Sequence, residues 1–332
     1  MKFVFAILFA LIPLTSFAQQ SPSSWPPEID GEKHVYKKVG VRELCVWHIG
    51  ADSHRHNDKE VGHKSPAIVF FFGGGWTSGT PEQFLPQATY LASRGMATFV
   101  ADYRVASRDK VKVATCVEDA KSAVRWLRAN ADRLAIDPNR ICAAGGSAGG
   151  HIACATALLP GFDAKADDLS VSCIPDALAL FNPAVVLAPI DGLPTPKQAE
   201  TRLEELKTRL GVEIEAISPA HHVRSGLPPA IIFHGEADTT VKLATVKKFS
   251  ELMHDAGNRC ELIAYPNAPH GFFNLISSNP SGRKKNKEAG KKGDSPEERE
   301  NWHQQTLREL DLFLVSLNWI SGEPTLPELK TR

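Results

Sequence analysis

Short runs of Val, Ile, Leu, Phe and Ala recur along the chain at residues 44–47, 67–72, 97–101, 141–144, 177–181, 230–233 and 262–265. Continuous apolar runs of this length read as strands covered on both faces. Between them the apolar spacing becomes helical, over residues 84–93, 113–130, 148–159, 241–256 and 302–317. In the second of these, Val113, Val117, Ala120, Val124 and Leu127 recur every three or four residues, with Lys121, Arg125 and Arg128 between them. Such a helix lays one face on a sheet and shows the other to water. The alternation predicts an α/β fold with a mainly parallel central sheet and helices on both faces.

Two segments interrupt it. Residues 197–207 form a charged helix inside an insertion spanning 184–216, where α/β enzymes often carry a lid over the strand ends. A solvated surface helix is the simpler reading and is preferred here over a substrate gate. Residues 282–294 are rich in Lys and Arg and poor in apolar groups, which reads as a solvated loop.

The N-terminus carries Lys2, an apolar block over residues 3–14, and small residues at Ser16 and Ala18. This is the pattern of a secretory signal peptide of residues 1–18, too short to leave a stable membrane span, and it implies a secreted or periplasmic protein. Residues 19–32 have a linker's composition, with the Ser- and Pro-rich stretch 20–27 expected to be poorly ordered, and residues 321–332 form a tail. The intervening 33–320 are expected to make one elaborated catalytic domain, since 42% apolar content supports one large core and no later linker divides it. Formal net charge is zero, which argues against nucleic-acid binding through an overall field. Six cysteines, at 45, 116, 142, 154, 173 and 260, show no CxxC spacing. They read as small buried residues, with room for one or two disulfides after export. Oligomeric state leaves no trace in the sequence.

The chemistry centres on Gly145-Gly146-Ser147-Ala148-Gly149, a Gly-x-Ser-x-Gly pattern between a strand run and a helix run. A nucleophile elbow turns so tightly there that Gly145 and Gly149 have no room for side chains, and the serine is held exposed. Its hydroxyl is a weak nucleophile and needs a histidine base oriented by an acid. Asp238 follows the apolar run 230–233, with Glu236 as a rival two positions earlier. His270 follows the run 262–265, whereas His151, His221, His222 and His234 are placed as structural residues. Serine, acid and histidine thus follow one another in chain order, each after a strand. The developing oxyanion needs backbone donors, for which Gly74 and Gly75 in Gly73-Gly74-Gly75-Trp76, together with Ala148, are the candidates. The set needs no metal or organic cofactor.

On these motifs, together with Ala101-Asp102-Tyr103-Arg104, Gly150-His151, His234-Gly235-Glu236-Ala237-Asp238 and Pro269-His270-Gly271-Phe272, most of residues 33–320 resembles the α/β-hydrolase esterases of the hormone-sensitive-lipase and bacterial feruloyl/acetyl-esterase-like (BD-FAE) groups. The resemblance implies the α/β-hydrolase fold, a Ser147–Asp238–His270 triad, and small-molecule or carbohydrate-linked acetyl or feruloyl esters as substrates. Relatives commonly place a histidine before the three glycines, and here that position is Phe72. Two rivals remain: a serine peptidase or amidase on the same fold, and a secreted binding protein that keeps the fold without catalysis.

Overall fold

The computed structural model describes residues 25–50, 64–193, 199–275 and 295–326, with the side chains of 199–203 left aside. The proposed signal peptide, residues 19–24 of the linker and the basic loop 282–294 lie outside the described residues.

Eight strands form one sheet: β1 Glu32–Val39, β2 Arg42–Ile49, β3 Ser65–Phe71, β4 Ala97–Ala101, β5 Ile136–Gly146, β6 Ala177–Phe181, β7 Ala230–Gly235 and β8 Cys260–Tyr265. Their spatial order is β1-β2-β4-β3-β5-β6-β7-β8. The β1–β2 and β2–β4 pairs are antiparallel and the remaining pairs parallel, so β3 to β8 all end on the same edge. The expected α/β-hydrolase architecture is therefore present, with β5 in the middle of its parallel part.

The helices are α1 Leu85–Ser93, α2 Ala106–Asp109, α3 Val113–Ala129, α4 Ala148–Leu158, α5 Ala199–Leu210, α6 Leu243–Asp255 and α7 Pro296–Ser316. Each parallel strand alternates its side chains between two apolar layers. In β3, Ala67, Val69 and Phe71 join the layer that includes Val117, Val124 and Ile152. Ile68 and Phe70 join the opposite layer, with Phe84, Phe181, Phe233, Phe273 and Leu310. Every residue of β3, β4, β6 and β7 is buried, which is why these strands appear as unbroken apolar runs.

Three differences from the sequence expectations have physical causes. Strand β1 has no apolar run because it is an edge strand whose buried positions, His34 and Tyr36, alternate with half-buried or exposed ones. Strand β5 starts at Ile136, before the apolar run 141–144, because its first residues pair across a bulge: Ser65 of β3 pairs with Ile136, while Ala67 pairs with Ile141. The linker is not wholly loose, because the Arg108 guanidinium lies 3.6 Å from the Trp25 ring centroid.

The allowance for disulfides is corrected. All six cysteines are free and buried. Cys45 and Cys142 fill one apolar layer, while Cys116, Cys154 and Cys260 fill the other. Burial raises their thiol pKa values, that of Cys260 to about 11, so they act as small apolar fillers. No helix among the described residues is long and apolar enough to cross a membrane.

Candidate active site

Ser147 sits between β5 and α4 at φ 53°, ψ −114°, outside the regions that side-chain-bearing residues usually adopt. Neighbouring backbone holds it there. Ser147 N–H donates to Phe181 O at 2.8 Å, and Ser147 O accepts from His151 N at 2.9 Å. A Cβ at Gly145 would lie 2.5 Å from the Gly149 carbonyl, and one at Gly149 would collide with the carbonyls of Phe71 and Phe72. Only glycine permits this approach of β3, β5 and α4.

The loops after β7 and β8 bring the other two residues to the same edge. His270 Nε2 lies 3.0 Å from Ser147 Oγ, and its Nδ1 donates to Asp238 Oδ2 at 2.7 Å. The two loops are tied by Ala237 N–H donating to Ala268 O at 3.1 Å. Asp238 is buried, whereas Glu236, the rival acid, is exposed. Burial opposes ionisation of Asp238. Hydrogen bonds from His270, Val241 N–H at 2.9 Å and Thr240 N–H at 2.8 Å outweigh it, and the carboxyl lies below its ordinary pKa. A carboxylate at Nδ1 fixes the imidazole tautomer and leaves Nε2 free to accept a proton from the serine.

Asn182, just past β6, is a site residue that the sequence reading missed. Its Nδ2 donates to Asp238 Oδ2 at 3.2 Å, and its Oδ1 accepts Gly271 N–H at 3.1 Å. It therefore bridges the acid and the histidine loop from a third strand end. The available signal was position alone: a polar residue following the buried run 177–181. The histidine loop is anchored from below by the buried Phe272 and Phe273, and Phe273 O accepts from His303 Nδ1 at 2.8 Å and Gln87 Nε2 at 3.2 Å.

The three-glycine turn lies against the elbow: a Cβ at Gly73 would be 3.5 Å from Ser147 Cβ. Phe72 does not leave this turn loose. Its ring stacks on Tyr103 at 4.1 Å, and Tyr103 OH donates to Phe72 O at 2.8 Å. Gly73 N–H donates to Gln83 Oε1 at 2.5 Å, and Trp76 O accepts Ala106 N–H at 3.0 Å. Among the described residues no protein acceptor takes the N–H of Gly74, Gly75 or Ala148. Of the histidines set aside, His151 and His234 each bond a backbone carbonyl, Ile217 O at 2.8 Å and Val241 O at 3.0 Å. No group of three or more His, Cys, Asp or Glu among the described residues is arranged to hold a metal ion.

The sequence profile of the BD-FAE family matches residues 56–253 of the chain. The chain belongs to the BD-FAE family. A second profile, that of the dienelactone hydrolase family, matches residues 214–304, which carry Asp238 and His270. Among solved structures, this BD-FAE member is similar to esterase 2 of the planctomycete Thermogutta terrifontis. In its propionate-bound form the two are 44% identical, with a TM-score of 0.74 and coverage of 90% of this chain and 99% of the other. The butyrate-bound form gives 44% identity and a TM-score of 0.77, covering 91% of this chain and 99% of the other. The same esterase has been solved phosphonylated by sarin, again at 44% identity and TM-score 0.77, over 90% of this chain and 100% of the other.

Curated relatives of this BD-FAE chain include two Mycobacterium tuberculosis esterases, LipC at 27% identity and LipQ at 28%, covering 76% and 70% of this chain. The chain spans 64% of LipC's length and 55% of LipQ's.

Proposed function

We propose that this protein is a serine carboxylesterase acting on short-chain or carbohydrate-linked acetyl or feruloyl esters. One observation carries the reading: the unbroken line Ser147 Oγ–His270 Nε2, His270 Nδ1–Asp238 Oδ2 at the edge where six strands end. Ser147 Oγ attacks the ester carbonyl carbon as its proton passes to His270 Nε2. The oxyanion is held by the N–H groups of Gly74, Gly75 and Ala148. As the tetrahedral species collapses, His270 returns the proton to the leaving alcohol and an acyl-serine remains. Water, deprotonated by His270, then attacks the acyl carbon, and serine leaves with the proton to release the carboxylic acid. Asp238 keeps the imidazolium oriented and its charge balanced.

Short acyl groups are supported by the solved relative with bound propionate or butyrate. The carbohydrate-linked class is supported by membership of the BD-FAE family. Export is part of the proposal and rests on the pattern of residues 1–18; N-terminal sequencing of the mature protein, beginning at Gln19, tests it.

Ser147→Ala is expected to lower turnover of p-nitrophenyl acetate by about 10⁴- to 10⁶-fold, and a fluorophosphonate should label only the unmutated protein. Equal turnover by both proteins would sink the assignment. A comparison of acetylated xylan, methyl ferulate and p-nitrophenyl esters of rising chain length tests the substrate class; preference for long acyl chains, or for an amide over its matched ester, speaks against it.

A further inference from the structure

Trp76 is one of few non-glycine residues at positive φ, 57°, and it closes the turn that begins with Gly74 at φ 117° and Gly75 at φ 60°. A bulky residue is strained in that region, so its surroundings must hold it. Its indole Nε1–H donates to His151 Nδ1 at 3.2 Å, and the two rings meet edge-on at 5.2 Å. An indole nitrogen can only donate, so His151 Nδ1 carries the lone pair and Nε2 the proton, which goes to Ile217 O at 2.8 Å. His151 is fully buried in the first turn of α4. It thus joins the glycine turn, the elbow helix and the 3-10 turn Glu215–Ile217 through a single neutral ring.

A second tie reaches the turn from outside. Arg209, near the end of α5, donates from one terminal nitrogen to Gly75 O and to Thr77 Oγ1. Its guanidinium carbon lies 5.3 Å from the Trp76 ring centroid. The insertion is no free flap, because Val185 and Leu210 within it and Ile217 just after it are buried in the core. The described residues Glu204 to Arg209 are exposed or half-buried, in keeping with a solvated surface helix, and from its last turn Arg209 reaches the backbone of the glycine turn.

We propose that His151 and Arg209 are positioning residues that hold Trp76 and the Gly75 carbonyl, and thereby keep the Gly74 and Gly75 N–H groups fixed for the tetrahedral intermediate. This makes residues 209–217, at the end of the 184–216 insertion, part of the catalytic apparatus, and it rests on the ester-hydrolase reading. Three successive glycines with no side chains cannot fix themselves. Donors accelerate acyl transfer only when oriented beforehand, so loosening the turn raises the barrier while leaving ground-state binding nearly unchanged.

The test is steady-state kinetics on p-nitrophenyl acetate, with rates normalised to the sites titrated by a fluorophosphonate. Trp76→Phe keeps the ring without its donor, His151→Leu removes the acceptor, and Arg209→Met keeps a stem over the indole without its donors. Each is expected to lower kcat per titrated site by about 10- to 100-fold while KM changes by less than about threefold. His151→Asn, whose carboxamide oxygen can take the Nδ1 place, should recover most of the loss. Trp76→Phe combined with His151→Leu should cost no more than His151→Leu alone, because the indole's bond is already lost in that variant. Arg209→Met changes an exposed residue and remains informative should a buried variant fail to fold. Variants that keep kcat within about twofold and alter only KM or stability would overturn the inference while the esterase reading stands. No turnover and no labelling of the unmutated protein would overturn both.

Discussion

The elbow and the glycine turn, the two places proposed to offer backbone N–H groups to the substrate carbonyl, are both rich in glycine, yet they are held in different ways. At the elbow, backbone presses on backbone: Gly145 and Gly149 are wedged against each other and against the carbonyls of Phe71 and Phe72. The glycine turn of residues 73–76 is crowded only at Gly74, where a Cβ would collide with Ser78 O, and side chains arriving from elsewhere also tie it down, namely Gln83, Tyr103, His151 and Arg209. Crowding fixes a shape that tolerates no addition. Ties fix a shape that can be loosened one bond at a time. One added carbon at Gly149 should therefore abolish the elbow's function, whereas cutting one tie should only grade that of the turn.

The largest break in this contrast is expected from Gly149→Ala. One added carbon meets two main-chain carbonyls that cannot rotate away. Activity on p-nitrophenyl acetate should fall by about 10³-fold or more, since Ser147 and the Ala148 N–H are displaced together. Near-normal activity would show that the elbow, too, can relax.

Acid should expose the joint between the two regions. Burial lowers the His151 pKa to about 4, against the raising effect of its bond to Ile217 O, so the ring is neutral in the fold. Below about pH 6.5 the unfolded chain takes up a proton that the folded one refuses. Stability is then fully present above that pH and is lost as pH falls towards 4, by up to about 3 kcal/mol from this group. His234 and His303 are shifted in the same direction by burial. Asp102, raised by burial to about 7 despite Arg42 and Arg108, works in the opposite sense. The His151 share is read as a difference: between about pH 7.5 and 4.5 the urea midpoint of His151→Asn should lose less, or gain more, on acidification than that of the unmutated protein.

Gln83→Leu removes the acceptor of the Gly73 N–H and should cost about tenfold in kcat with KM nearly constant. A loss as deep as that of Gly149→Ala would erase the distinction between crowding and ties. Tyr103→Phe is expected to have the smallest effect. It keeps the stack on Phe72 but loses the bond to Phe72 O, lowering stability by about 1 kcal/mol and kcat by less than about threefold. Thermal denaturation and initial rates together check both values.

Much of this was legible beforehand for a specific reason. Parallel strands buried on both faces must be apolar throughout, so β3, β4, β6 and β7 stand out in the chain. The edge strand β1 did not, because only alternate residues face inward. Ser147, Asp238 and His270 were visible because each lies on a loop directly after a strand run, and the Gly-x-Ser-x-Gly spacing records a steric demand local to five residues.

Asn182, Gln83 and Arg209 carried no such local mark. Asn182 acts across 56 residues on Asp238, and Arg209 across 134 on Gly75. The fate of Phe72 was equally hidden, since its ring finds Tyr103 only after β3 and β4 pair. The sequence by itself determined the order of strands and helices and the residues able to carry acyl transfer, because those depend on local periodicity and on crowding between near neighbours. Only the tertiary structure decided which distant side chains hold the glycine turn, because those bonds exist only once separate strand ends share one edge.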